Sequence, residues 1–182
     1  MERVQYDLAS LELYFERLFA LLDEPNPPSE RPEGFQGIWT PHSYTHFVKS
    51  DMVANVYSAV DFWLEQFCGM AVRNQFLPPG SRRKRGKNAL DSRHQFLSHT
   101  VGLDLTNTAG SFAHLDVVRE VRNCFAHGGG HAPPKLRETL SGVPGLELHG
   151  GLLCIDESFV RRSLDEARNY LVAVATALES RL

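Results

Sequence analysis

The sequence predicts an all-α protein, a bundle of four to five helices with a small β-hairpin before the last helix. Three observations predict it. Apolar residues recur at steps of three and four through several long stretches, the period of a helix with one buried face. Prolines and glycines cluster between those stretches, where a helix must stop. Two short apolar runs flank Gly150-Gly151, the pattern of a tight hairpin. At 182 residues the chain is sized for one domain, 1–182. Its composition, 42% hydrophobic and 23% charged, is that of a globular protein and excludes a disordered or fibrous one.

Taken in order, Leu8, Leu11, Phe15, Leu18 and Leu22 form one stripe and predict a helix over about 7–23. The segment 24–41 holds five prolines and two glycines and predicts a long irregular loop, pinned to the body by Phe35, Ile38 and Trp39. Val53, Val56, Tyr57, Val60, Trp63, Phe67 and Met70 predict a long helix over about 43–76, stopped by Pro78-Pro79-Gly80. Shorter helices follow over about 88–101 and 111–127, the second ended by Gly128-Gly129-Gly130, since glycine takes the left-handed cap at little steric cost. Runs 146–149 and 152–155 predict the hairpin. Val160, Leu164, Ala167, Leu171, Val174 and Leu178 predict a last helix over about 158–180.

Nineteen basic residues against 22 acidic give a net charge of -3, which argues against a chain that is basic throughout. Cys68, Cys124 and Cys154 are odd in number and widely spaced, so neither a disulfide scaffold nor a zinc ribbon is expected, and a reducing compartment fits best. The first residues carry charges and no apolar core, so no signal peptide is expected. The longest apolar run, 170–178, falls short of the ~20 residues that span a bilayer. A cytoplasmic, non-membrane protein is the expectation. The chain contains no phosphate-binding glycine loop, no dinucleotide fingerprint and no nucleophile–base signature.

Chemistry concentrates in one helix. Val117, Val118, Val121, Cys124 and Phe125 share a face that should be core, while Asp116, Glu120, Asn123 and His127 follow at steps of four, three and four. At about 100° per residue those four lie within roughly 60° of one another. Such a stripe suits a site and suits a solvated face equally. The stretch Arg122-Asn123-Cys124-Phe125-Ala126-His127 resembles the Arg-x4-6-His motif of HEPN domains, in the form with Asn directly after Arg. The order that follows, glycines, a small hairpin and a final long helix, is similar to that of prokaryotic HEPN proteins of toxin–antitoxin and defence systems. A second match, Arg93 to His99, lies in an earlier helix, where the family does not usually place its site.

The resemblance implies a metal-independent endoribonuclease with no cofactor, acting as a homodimer whose motifs meet at the two-fold axis. RNA would supply its own 2'-OH as nucleophile, leaving a 2',3'-cyclic phosphate and a 5'-OH. His127 would exchange protons, Arg122 would hold the scissile phosphate, and Asn123 would orient the imidazole or the phosphate. Glu120 and Arg119 are candidate supporting residues, Glu120 either fixing the imidazole tautomer or repelling RNA. A cognate antitoxin or nucleotidyltransferase is an implied partner. The alternative is a non-catalytic HEPN module that dimerises or binds RNA beside such a partner. Arg122 and His127 stand five residues apart, about 140° around an ideal helix. Three solutions remain open: the arginine wraps round, the last turn distorts, or each site pairs Arg122 of one subunit with His127 of the other.

Other histidines are less informative. His42 and His46 are spaced like metal ligands but lack a third, and read as a plain helix start. His114 reads as a core histidine, and nothing in the sequence places His131 or His149. Arg82, Arg83, Lys84, Arg85 and Lys87 put five cations in six positions, a candidate RNA-binding arm; without them the chain holds 14 basic residues against 22 acidic, or -8. Replacing all five by alanine is expected to remove most RNA affinity. It should also reduce the slope of log affinity against log salt by up to about 3–4, at roughly 0.7 per lost phosphate contact. Anisotropy titrations of the wild type and the five-fold variant across a salt series check this.

Overall fold

A computed structural model describes residues 1–22, 43–74 and 86–181. The proline-rich segment with Phe35, Ile38 and Trp39, together with His42, the Pro78-Pro79-Gly80 stop and Arg82, Arg83, Lys84 and Arg85, lies outside the described residues. The described part is mostly helical, with one two-stranded antiparallel hairpin before the last helix. In order it runs α1 Glu2–Leu22, α2 Ser43–Arg73, α3 Ala89–Gln95, α4 Ala109–Gly128, α5 Pro134–Ser141, β1 Leu146–His149, β2 Leu152–Ile155 and α6 Glu157–Glu179. A single π-helical turn, Phe96–Thr100, continues α3. No described helix is long and apolar enough to cross a membrane.

α2 and α6 form the centre. α4 packs across both, and α1 packs on both from its own side. Val56, Val60 and Leu64 of α2, Val118 and Val121 of α4, and Tyr170, Leu171 and Val174 of α6 are fully buried at 0% exposure. Each such aliphatic side chain contributes about 1.5–3 kcal/mol relative to leaving it in water, so the orientation of α4 is fixed by its core face. Val118, Val121 and Cys124 are buried as the sequence predicts, while Val117 and Phe125 are half-buried at the rim of the core.

Element boundaries shift where capping decides them. α1 begins near the N-terminus and adds buried Val4, because its first turn is polar on the other face and does not disturb the stripe. α3 is set by Asn88, whose side-chain oxygen accepts the amide of Asp91 at 2.9 Å. α6 is set by Asp156, which accepts the amide of Phe159 at 3.0 Å. α5 is the element that the sequence does not announce: it is eight residues long, starts on a proline and buries Leu140. The hairpin has the predicted strands, with Leu146 opposite Ile155 and Leu148 opposite Leu153. Gly150 and Gly151 make its turn at φ of 60° and 92°, values that suit glycine. β2 lies against α2 and α5 against β1, which carries the hairpin to the end of α4.

Two histidines are drawn into the bundle, His114 buried and His94 half-buried. The His94 ring stacks on Phe112 with centroids 4.0 Å apart, and its Nδ1 lies 2.8 Å from the Tyr170 hydroxyl. His114 Nε2 lies 3.1 Å from the Ser163 hydroxyl, which donates its own hydrogen to the Phe159 carbonyl at 2.7 Å. The histidine is therefore the donor to Ser163. Burial is the main force lowering both imidazoles below their ordinary value. The unfolded chain takes up these protons near pH 6.5 while the folded chain resists them. Stability from these sites is thus present above that pH and lost as pH falls below it. The unfolding midpoint is expected to drop between pH 7 and pH 5 and to drop less in His114→Gln, as followed by circular dichroism; a flat wild-type profile would contradict this.

Candidate functional site

The site is built on the last two turns of α4 and the chain that leaves it. α4 stays regular through Gly128, so no distorted terminal turn is used to bring Arg122 and His127 together. Gly129 closes the helix in the left-handed conformation, φ 56°, and the amides of Gly129 and Gly130 both turn back to the Cys124 carbonyl. Gly130 then sits at φ 91° in a crowded place. A Cβ there would meet Phe125 Cε1 at 2.9 Å, His46 Nε2 at 3.1 Å and Leu152 Cδ1 at 3.2 Å.

This close approach joins the exit of α4 to the hairpin. Leu153 donates its amide to the Gly130 carbonyl at 2.9 Å, Ala132 donates to Gly151 at 2.9 Å, and His131 donates to Gly128 at 3.0 Å. His131 pairs with Leu152 as an isolated antiparallel bridge beside the hairpin. The chain is thus folded back on itself, and a pocket of about 290 Å³ opens between the end of α4 and the start of α5. Glu120, Asn123, His127 and His131 give it polar walls; Cys124, Pro133 and Leu136 give it an apolar side.

The arginines of α3 and α4 divide sharply. Arg93 is ion-paired to Asp61 and, at 2.8 Å, to Glu65. Arg119 is paired to Asp116 at 2.8 Å and to Glu120. Both side chains are only 13–14% exposed. Arg122 has no carboxylate partner among the described residues. Its Nη1 donates to Asn123 Oδ1 at 3.1 Å, and its guanidinium carbon lies 5.8 Å from the centre of the Tyr57 ring. Burial and the Asp61 carboxylate hold the Tyr57 phenol above its ordinary range, against the pull of the three arginines.

These contacts place the sequence-predicted residues. Asn123 lines the pocket with His127 and also accepts a hydrogen bond from Arg122, whose guanidinium lies over Tyr57 of α2 and does not line the pocket. Glu120 lines the pocket but is held by Arg119, whose own charge is balanced by two carboxylates. In the second motif match Arg93 is committed to α2, and His99 is exposed on the π-helical turn. Of the basic run, exposed Lys87 is described. The next residue, Asn88, donates to Asp116 Oδ1 at 3.3 Å, which ties the end of the run to α4 about 16 Å up the axis from His127.

The remaining titratable groups separate by burial. Burial above all, with the Glu120 charge adding to it, pushes the Cys124 thiol up and keeps it protonated. The His46 ring packs on Phe125 with centroids 4.8 Å apart, and burial lowers its imidazole. Among the described residues no group of three or more His, Cys, Asp or Glu side chains is placed to hold a metal ion. His149 is exposed on the hairpin, 3.0 Å from Glu147. His131 is the pocket residue that the sequence left unplaced; the signal was its spacing, four residues from His127 across three glycines.

The chain matches no protein-family model, and neither a curated protein nor a solved structure matches it.

Gly130→Ala is expected to destabilise the fold by about 1–3 kcal/mol, the order for one residue held in a disfavoured backbone region. Gly129→Ala should cost less, because no heavy atom lies within 4 Å of the added methyl. Chemical denaturation of the two variants measures the difference, and equal effects would mean that the contact with Phe125, His46 and Leu152 contributes nothing.

Proposed function

We propose that this chain is a metal-independent endoribonuclease of HEPN type that acts as a homodimer, in the manner of toxin and defence proteins. The observation that carries the reading is Arg122: Arg93 and Arg119 beside it are each paired with two carboxylates, it has no carboxylate partner among the described residues, and it hydrogen-bonds Asn123, which lines the pocket with His127. A guanidinium free of carboxylates and an imidazole are the two groups that a phosphodiester needs. The guanidinium can bind the phosphate through two parallel hydrogen bonds and offset the charge that grows on its oxygens. The imidazole can take or give a proton near neutral pH.

The 2'-OH of RNA is the nucleophile on this reading. The Cys124 thiol in the same pocket is kept protonated and is not the attacking group. Attack of the 2'-oxygen on phosphorus breaks the bond to the 5'-oxygen and leaves a 2',3'-cyclic phosphate and a 5'-OH. Asn123 positions the Arg122 head, and Arg119 holds Glu120 so that its carboxylate meets RNA as one half of an ion pair. The two-fold axis brings a second copy of the same groups to the cleft. Lys87, with Arg82, Arg83, Lys84 and Arg85 before it, supplies phosphate contacts along the strand.

The purified dimer is expected to cleave RNA in the presence of EDTA. His127→Ala should lower the rate by about 10²–10⁴-fold, the usual share of a general acid or base. Arg122→Ala should lower it by about 10²–10³-fold, the share of a lost charge-stabilising donor. Gel assays with end-group mapping give the readout. Equal cleavage by the variants rejects the assigned site, and RNA binding without cleavage by a dimeric wild type points to a non-catalytic module.

A further inference from the structure

We infer that His131 is the second proton-transfer group of the pocket, paired with His127 inside one protomer. The inference rests on the ribonuclease reading and adds to it a residue outside the Arg-x4-His stretch. Cleavage by 2'-OH attack moves two protons, one off the 2'-oxygen and one onto the departing 5'-oxygen. A pocket that performs both needs one imidazole that begins neutral and one that begins protonated.

The fold brings two imidazoles to one pocket. His127 stands on the last turn of α4, and His131 lines the same pocket from the chain that has just turned back. The place of His131 is fixed by backbone. Its amide is bound to Gly128 at 3.0 Å, the flanking Gly130 carbonyl and Ala132 amide are both bonded to the hairpin, and its Cβ lies 4.0 Å from where a Gly128 side chain would begin. These backbone bonds hold residue 131 at the pocket wall. His149, the other histidine near the motif in sequence, is held by Glu147 and does not line the pocket. The apolar side of the pocket, with Pro133 and Leu136, gives a base or ribose a surface to lie on beside the two histidines.

The step balances as follows. One imidazole accepts the proton of the 2'-OH as the 2'-oxygen bonds to phosphorus. The phosphorus–oxygen bond to the next nucleotide breaks, and the other imidazole, protonated at the start, gives its proton to that oxygen. The two rings end with their protonation exchanged, and solvent restores them. No other reactant is consumed.

The test compares wild type, His127→Ala and His131→Ala on one RNA oligonucleotide across pH, with and without imidazole in the buffer, alongside unfolding midpoints. Wild type should give a bell-shaped pH–rate profile. His131→Ala should keep the wild-type midpoint, lose about 10²-fold or more in rate, lose one limb of the bell, and recover part of its rate with added imidazole. A His131→Ala rate within about threefold of wild type, or a slow variant with an intact bell and no response to imidazole, overturns the inference and leaves the ribonuclease reading standing if His127→Ala is inactive. Absence of cleavage by the wild type overturns both.

Discussion

Leu153 donates its amide to the Gly130 carbonyl while Ala132 donates to Gly151, and this pair of backbone hydrogen bonds ties the exit of α4 to the hairpin. The rest of the candidate site depends on it. The approach is close enough that the Gly130 position has no room for a side chain among Phe125, His46 and Leu152. Because the chain is turned there, α4 can end one residue after His127 with the Cys124 carbonyl taken by the amides of Gly129 and Gly130 and the Gly128 carbonyl by that of His131. Because the hairpin holds the returning segment, α5 stands off from α4 and leaves a pocket between them. The hairpin, which carries none of the candidate site residues, is what holds the wall of the pocket in place.

Charge in this region is arranged by neutralisation. Arg93 joins α3 to α2 through Asp61 and Glu65, and Arg119 spans Asp116 and Glu120 on α4 itself. Half-buried ion pairs of this kind contribute little net stability, since desolvation offsets attraction, but removing one partner leaves a costly charge behind. They therefore hold their partners in place. Arg122 stands beside them with an amide oxygen and an aromatic face in place of a carboxylate. Those contacts orient the guanidinium and leave its charge uncompensated. A net charge of -3 for the whole chain is consistent with a cationic point here, since most of the cations gathered around Tyr57 are already balanced.

How much of this was legible in the sequence follows from the range of the forces involved. The stripes of α2, α4 and α6 were legible because each buries a continuous face and the period shows. The hairpin was legible because Gly150-Gly151 fixes its turn locally. His114 was legible as a core residue from its place on the apolar face. α5 was not, because eight residues with one fully buried leucine carry too little periodicity. Among the site residues, Arg122, Asn123 and His127 share one helix and their spacing could be read directly. The partners that decide their roles could not. Asp61 and Glu65 come from α2, Asp116 and Glu120 compete for Arg119, and the position of His131 is set by backbone bonds to residues some twenty positions on.

The direction of α4 sharpens what Arg122 must do on the proposed reading. Anions are commonly held at helix N-termini, where free amides and the positive end of the dipole face the ligand. The pocket lies at the opposite end. A phosphate brought to His127 meets the carbonyl end of α4, whose partial charge is about -0.5. Gly129 and Gly130 blunt that field by donating to the Cys124 carbonyl, but they do not reverse it. α4 therefore offers that anion no free amides, and the charge to hold it must come from elsewhere around the pocket. On the proposed reading that cation is Arg122, which stands beside the pocket through its hydrogen bond to Asn123. A helix C-terminus is thus a poor place to store a phosphate, and on the proposed reading the guanidinium of Arg122 has to offset the field of α4 before the imidazole can act.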